Sequence, residues 1–176
     1  MMVRRRVPLG GGVNEAANLR KLTTIVAVDV VGFSTRAEAD ETAAVVEVTS
    51  LGQEVDRAAR DFEGRVFSRA GDGFMLEFPT VMGAVDAALT LAARSPTPIR
   101  IGVHLGEVTA VAGGDLLGHG VNVASRLQAM AAPRGVIVSN SVCEALRPPQ
   151  ATLFRKQGAR WPPWLSGSWA SRPGWS

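Results

Sequence analysis

The 176-residue sequence predicts an α+β fold: a ferredoxin-like βαββαβ core with helices packed over a mostly antiparallel sheet. Three observations predict it. Short β-branched runs alternate with longer stretches whose apolar residues recur at helical spacing. The order along the chain is strand, helix, strand, strand, helix, strand, helix, strand. Two adjacent strand-like runs flank Ala70-Gly71-Asp72-Gly73, and Asp-Gly between such runs signals a hairpin.

Thr23 to Asp29 is short and β-branched and reads as a buried strand. Residues 41–62 read as a helix, with Val48, Leu51, Val55, Ala58, Ala59 and Phe62 on one face. Gly64 to Arg69 and Phe74 to Phe78 are the hairpin strands. Residues 80–93 give a second amphipathic helix through Val81, Ala84, Val85, Ala88, Leu89 and Ala92. Ile99 to Val111 reads as a strand pair, or as one long strand bent at Gly106. Gly118 to Ala131 is a third helix. Pro133-Arg134-Gly135 then turns the chain into a last strand, Val136 to Ser139, and Asn140 or Ser141 caps a short helix ending near Leu146.

Charge divides the chain into three. Residues 1–21 carry five Lys/Arg and one acid, and residues 147–176 carry five Lys/Arg and no acid. Residues 22–146 carry nine Lys/Arg against fifteen Asp/Glu, so the expected folded part is acidic and the ends are basic. The expected organisation is a flexible basic leader over 1–21, one domain over 22–147, and an irregular basic tail over 148–176. That tail is rich in Pro and holds all four tryptophans. Positive charge outside the core, with no paired aromatics on adjacent strands, argues against a nucleic-acid partner. No run reaches the roughly 18 to 20 apolar residues of a membrane span, and Asp86 interrupts the nearest one. Arg4, Arg5 and Arg6 have no apolar stretch behind them, so no secretory signal is expected. The single cysteine, Cys143, allows no intrachain disulfide and fits a reduced, cytoplasmic setting. No His/Cys spacing suggests zinc.

Three segments carry candidate chemistry. In Val28-Asp29-Val30-Val31-Gly32-Phe33-Ser34 a carboxylate ends a buried strand before a Gly-containing turn into a helix. Such a turn points backbone N–H groups at an anion and suits a polyphosphate. The second segment is Gly71-Asp72-Gly73 at the hairpin tip. If the hairpin pairs beside the first strand, Asp29 and Asp72 converge and repel unless a cation lies between them. Mg²⁺ or Mn²⁺ with a triphosphate is the natural occupant. Taken singly, Asp29 also suits a helix cap and Asp72 a plain turn. In the third segment, Asp115 to Leu127, Asn122 and Arg126 are four residues apart on one helical face. That pair can position a ribose and offset charge on a transferring phosphoryl group, and an ordinary polar face is the alternative.

In this order and spacing the segments resemble the class III adenylate/guanylate cyclase catalytic domain, over about residues 22–146. The runs GRVFSRAGDGFMLEFPTVMGAVDAAL and IRIGVHLGEV resemble the same family. The resemblance implies that Asp29 and Asp72 bind two Mg²⁺ or Mn²⁺ ions per site, with the Val30 carbonyl as a further ligand. It implies that Gly32, Phe33 and Ser34 hold phosphates through their backbone, and that Arg100 contacts phosphates. Asn122 and Arg126 would orient the ribose and stabilise the transition state, and Asp115 would read the adenine amino group. In the family one subunit's metal-binding face meets the other's Asn/Arg face, which implies a homodimer with ATP as substrate. Two departures stand out. The family's usual lysine before the hairpin Gly-Asp is Ser68 here, and the residues after Leu146 do not resemble the two further strands that usually follow. These departures motivate a second expectation, a nucleotide-binding or dimerising pseudo-cyclase without turnover. A diguanylate cyclase would need a Gly-Gly-acid-acid hairpin, which Ala70-Gly71-Asp72-Gly73 does not supply.

Overall fold

The first strand, β1 (Leu19–Val30), lies at the centre of the sheet and is apolar almost without interruption from Ile25 to Val30. That continuity follows from burial on both sides. Val26, Val28 and Val30 face one layer, while Ile25 and Ala27 face the other. The computed structural model describes residues 19–146 and Phe154. The tail expected over 148–176 lies outside the described residues, Phe154 excepted. So does the expected leader, apart from Leu19 to Lys21, which belong to β1.

After β1 the elements are α1 (Phe33–Ala39), α2 (Glu41–Asp61), β2 (Arg65–Ala70), β3 (Gly73–Phe78), α3 (Val81–Arg94), β4 (Ile99–Ala110), β5 (Leu116–Leu117), α4 (His119–Met130), β6 (Val136–Val138) and α5 (Asn140–Ala145). The sheet order is β2-β3-β1-β4-β5, with β6 beside β4. Every pairing is antiparallel except β4 with β6. The α+β architecture is therefore as the sequence predicts.

The helices begin where their caps are. Asp40 accepts from the Ala43 N–H at 2.9 Å and starts α2. Thr80 accepts from the Gly83 N–H at 3.1 Å and starts α3. Both helices lie on one face of the sheet. Leu51, Val55, Ala58 and Ala59 of α2 and Ala84, Val85, Ala88 and Leu91 of α3 are buried in the larger cluster, with Phe74, Leu76, Phe78, Ile99, Ile101 and Val103. Phe154 packs against the same cluster.

The opposite face carries α4, whose buried residues are Gly120 and Ala124. A Cβ at Gly102 would lie 2.3 Å from both the Ala124 carbonyl oxygen and the Gln128 amide nitrogen. Only glycine allows the helix backbone to approach the strand this closely.

One local feature differs from the sequence reading. β1 starts at Leu19 rather than Thr23, because Leu19 to Leu22 pair with Glu107 to Ala110 of a long β4. Of the two readings of Ile99 to Val111, the single long strand is the one the structure shows. The hairpin turn falls at Gly71-Asp72, within the expected Gly71-Asp72-Gly73 tip, since Ala70 pairs with Gly73 and Gly71 takes φ +59°.

Candidate functional site

Asp29 stands at the end of β1, directly opposite Arg100 on β4. The register brings the two side chains together: Arg100 Nη2 donates to Asp29 Oδ2 at 2.6 Å. Gln128 Nε2, from α4, donates to the same oxygen at 3.2 Å. The carboxylate and guanidinium are 26% and 32% exposed. Arg100 Nε is buried and has no hydrogen-bond partner among the described residues.

The pairing of β1 with β3 runs to Val28 opposite Phe74. It therefore carries the β2–β3 turn up beside Asp29, and Asp72 reaches the same spot. Burial raises the Asp72 carboxyl above its ordinary pKa. The charge and hydrogen bonding of Asp29 push the same way, against the lowering from the N–H groups of Asp72 itself and of Val30. Two carboxylates are thus held close although their charges oppose it. That donor set suits a hard divalent cation. No group of three or more His, Cys, Asp or Glu side chains gathers among the described residues. Two carboxylates with a backbone carbonyl suit Mg²⁺ or Mn²⁺, which commonly keep water and substrate phosphate as further ligands.

The turn after β1 is anchored on both sides. Gly32 takes φ +68° and ψ 26° and precedes α1 with no side-chain cap. A first helical turn without a cap presents backbone N–H groups outward. Ser34 is exposed, whereas the Phe33 side chain packs against the larger core cluster. Phe33 therefore fixes the turn to the core.

Asn122 and Arg126 are both exposed on α4. Gln128 lies on the inner face of that helix, against Asp29. At about 100° per residue, Arg126 is rotated roughly 200° from Gln128 and Asn122 roughly 240°. The Asn/Arg face thus points away from the carboxylates of its own chain. Asp115 is exposed in the connection between β4 and β5, where its carbonyl accepts from the Val111 N–H at 3.0 Å. Ser68 is half-buried beside an irregularity in β2, opposite Met75. No hydrogen bond joins Ser68 to Asp115 among the described residues. The bridge between these regions is instead Arg65, whose Nη1 donates to the Gly114 carbonyl at 2.8 Å.

The single chain therefore brings together Asp29, Val30, Asp72 and Arg100, and leaves Asn122 and Arg126 apart from them. Sequence reasoning missed Gln128. Its signal was position: it lies one helical turn after Ala124, on the stripe that packs against Gly102.

Comparison with known proteins gives the family and the fold. The model of the family described as "Adenylate and Guanylate cyclase catalytic domain" matches residues 16–160. A protein of Rhizobium meliloti (strain 1021) named "Putative adenylate cyclase 3" is 38% identical over 137 residues. That match spans 71% of this chain and 23% of the relative, so the chain corresponds to about a quarter of the relative's length. The crystal structure of an adenylate/guanylate cyclase/hydrolase from Silicibacter pomeroyi superposes with a TM-score of 0.65 at 30% identity, over 72% of this chain and 80% of that one. The adenylyl cyclase CyaB from P. aeruginosa gives a TM-score of 0.66 at 20% identity, over 72% and 81%. At that identity the likeness concerns the fold. No helix among the described residues is long and apolar enough to cross a membrane.

Proposed function

This chain belongs to the adenylate and guanylate cyclase catalytic domain family, and from that membership we propose that it converts ATP to 3′,5′-cyclic AMP and pyrophosphate at a site shared between two copies. The observation that carries the proposal is the separation described above. Asp29 and Asp72 sit side by side, while Asn122 and Arg126 face outward from the same protomer. A two-fold pairing of copies supplies each carboxylate pair with the other copy's Asn/Arg face, and gives two equivalent sites.

Asp29, Asp72 and the Val30 carbonyl would hold Mg²⁺ or Mn²⁺, two ions per site. Bound there, such ions would supply Lewis acidity that lowers the pKa of the ribose 3′-hydroxyl and offsets charge on the pyrophosphate. The backbone of Gly32, Phe33 and Ser34 binds the phosphates. Arg100, paired with Asp29 in this structure, turns its guanidinium to phosphate oxygens when nucleotide is present. Asn122 of the second copy orients the ribose and Arg126 stabilises charge at the α-phosphoryl group. The bond from the 3′-oxygen to the α-phosphorus forms as the bond to the pyrophosphate oxygen breaks, and the hydroxyl proton passes to solvent. Asp115 accepts from the adenine amino group and disfavours the guanine carbonyl, which supports ATP over GTP. Ser68 offers one uncharged hydrogen bond where the family's usual lysine would pair with that aspartate.

A second reading, a nucleotide-binding pseudo-cyclase in the cytoplasm, draws on one observation: Arg100 and Gln128 both occupy Asp29 Oδ2. Product analysis separates the two. The purified chain is incubated with ATP or GTP and with Mn²⁺ or Mg²⁺, and products are resolved by chromatography. The proposal expects cyclic AMP that disappears in Asp29→Ala protein. Nucleotide binding without any cyclic product would establish the pseudo-cyclase instead.

A further inference from the structure

The loop between β1 and α1 is held by a side-chain cluster on its far side. Arg36, on α1, donates from Nη1 to the Val31 carbonyl at 2.6 Å. Its Nε and Nη2 grip Glu47 Oε2 and Oε1 on α2, each at 3.0 Å. Nη2 also reaches Thr97 Oγ1 at 3.4 Å, and the Thr97 hydroxyl donates to Glu47 Oε1. Thr97 is buried in the connection between α3 and β4, and the next residue, Pro98, accepts from the Val31 N–H at 2.9 Å. One guanidinium therefore ties together the loop, α2 and the α3–β4 connection. Burial raises the Glu47 carboxyl, but the hydrogen bonds from Thr97 and Arg36 and the charge of Arg36 outweigh it and hold it below its ordinary pKa.

Peptide geometry gives this cluster a consequence for the site. In a trans peptide the C=O and N–H point in opposite directions. With the Val31 carbonyl turned to Arg36, the Gly32 N–H is turned away from it. With the Val31 N–H turned to Pro98, the Val30 carbonyl is turned away from Pro98. These two outward groups are the ones the proposed mechanism uses, one for phosphate and one for metal.

We propose that Arg36 is a positioning residue. Clamped by Glu47 and Thr97, it fixes the Val30–Val31–Gly32 backbone in the orientation that receives the metal-bound triphosphate. This rests on the cyclase reading given above. The Arg36 side chain is 40% exposed and that of Glu47 23%, and ion pairs this open add little to overall stability. The cluster's effect therefore falls on nucleotide affinity rather than on melting.

The test is calorimetric titration with Mn²⁺·α,β-methylene-ATP, in which the scissile bridge is replaced, together with the melting temperature of each free protein. Arg36→Ala is expected to weaken binding about ten-fold or more, as expected for losing hydrogen bonds from a charged group. Its melting temperature stays within a few degrees of the parent. Mn²⁺·tripolyphosphate loses affinity in parallel, because the defect lies in the phosphate loop and not in base recognition. Adding Glu47→Gln to Arg36→Ala costs nothing further, since Glu47 acts through Arg36, and Arg36→Lys recovers part of the loss. Unchanged affinity in a folded Arg36→Ala protein overturns the proposal. If that variant does not fold, Glu47→Gln and Thr97→Val decide it: each is expected to weaken binding several-fold, and two unchanged affinities overturn it. Failure of the parent protein to bind the probe would overturn the cyclase reading, and this inference with it.

Discussion

The two faces of the sheet are built on opposite terms. Under α2 and α3 lies the larger core cluster, with Leu51, Leu76, Phe78 and Ile101 fully buried. Under α4 the apolar cluster shrinks to Ile25, Ala27, Val108, Leu116 and Ala124. Around it lie charges held in pairs: Arg100 on Asp29, and Lys21 and Arg65 on Glu77, at 2.5 and 2.8 Å. Glu77 is only 7% exposed, and a carboxylate so buried is tolerated because it has partners. The first face holds the fold together. The second gives up apolar packing for charged groups next to the carboxylates, and it is the face to which the proposal assigns chemistry and a second copy.

Substitutions can break that contrast. The largest expected effect is Asp72→Ala, which should cut metal-dependent turnover by at least about a hundred-fold and leave the far-ultraviolet circular dichroism unchanged. On the opposite face, Leu51→Ala should cost about 2 to 5 kcal/mol of stability through a cavity, read by urea unfolding, with turnover per folded molecule preserved. If Leu51→Ala abolished catalysis without unfolding, the division between faces would be wrong. Gln128→Glu replaces a donor to Asp29 with a third carboxylate. The expected result is a lower melting temperature in metal-free protein that recovers with Mn²⁺, because the cation offsets the added repulsion.

The smallest expected effect is in pH dependence. Burial raises the Glu77 carboxyl, but bonds from Lys21, Thr23 and Arg65 outweigh it and leave it below its ordinary pKa. A carboxylate lowered in the folded state contributes stability above its unfolded pKa and loses it as pH falls through the folded value. The melting temperature should therefore drop as pH falls below 4.5, the ordinary value for Glu. Glu77→Gln should flatten that drop, as a series of melts at stepped pH would reveal.

The same contrast governs what was legible in the sequence. The core face announced itself by periodicity: Leu51, Val55, Ala58 and Ala59 at helical spacing became the buried stripe of α2. The meeting of Asp29 with Asp72 was legible because a hairpin signal follows a strand that ends in Asp, and register does the rest. The pairing of Arg100 with Asp29 was not, because cross-strand register depends on β1 extending back to Leu19 to match a twelve-residue β4. Gln128 and the Arg36–Glu47–Thr97 cluster were missed for a related reason. Apart from Val31, five positions before Arg36, their partners lie between 11 and 99 positions away in sequence, so no local spacing marks them. The hairpin tip was legible from the Gly71-Asp72-Gly73 run between two strand signals, and the Ala70–Gly73 pair fixes Gly71-Asp72 as its turn residues.

The central claim is a catalytic site completed across two copies, and subunit mixing tests it most directly. Asp29→Ala protein and Asn122→Ala protein, each inactive alone, are combined in equal amounts and assayed for cyclic AMP. The account predicts recovery toward about a quarter of parental activity: half of randomly formed dimers pair the two variants, and each keeps one of its two sites whole. No recovery in a mixture whose heterodimers are demonstrated would contradict it and place the whole site within one chain.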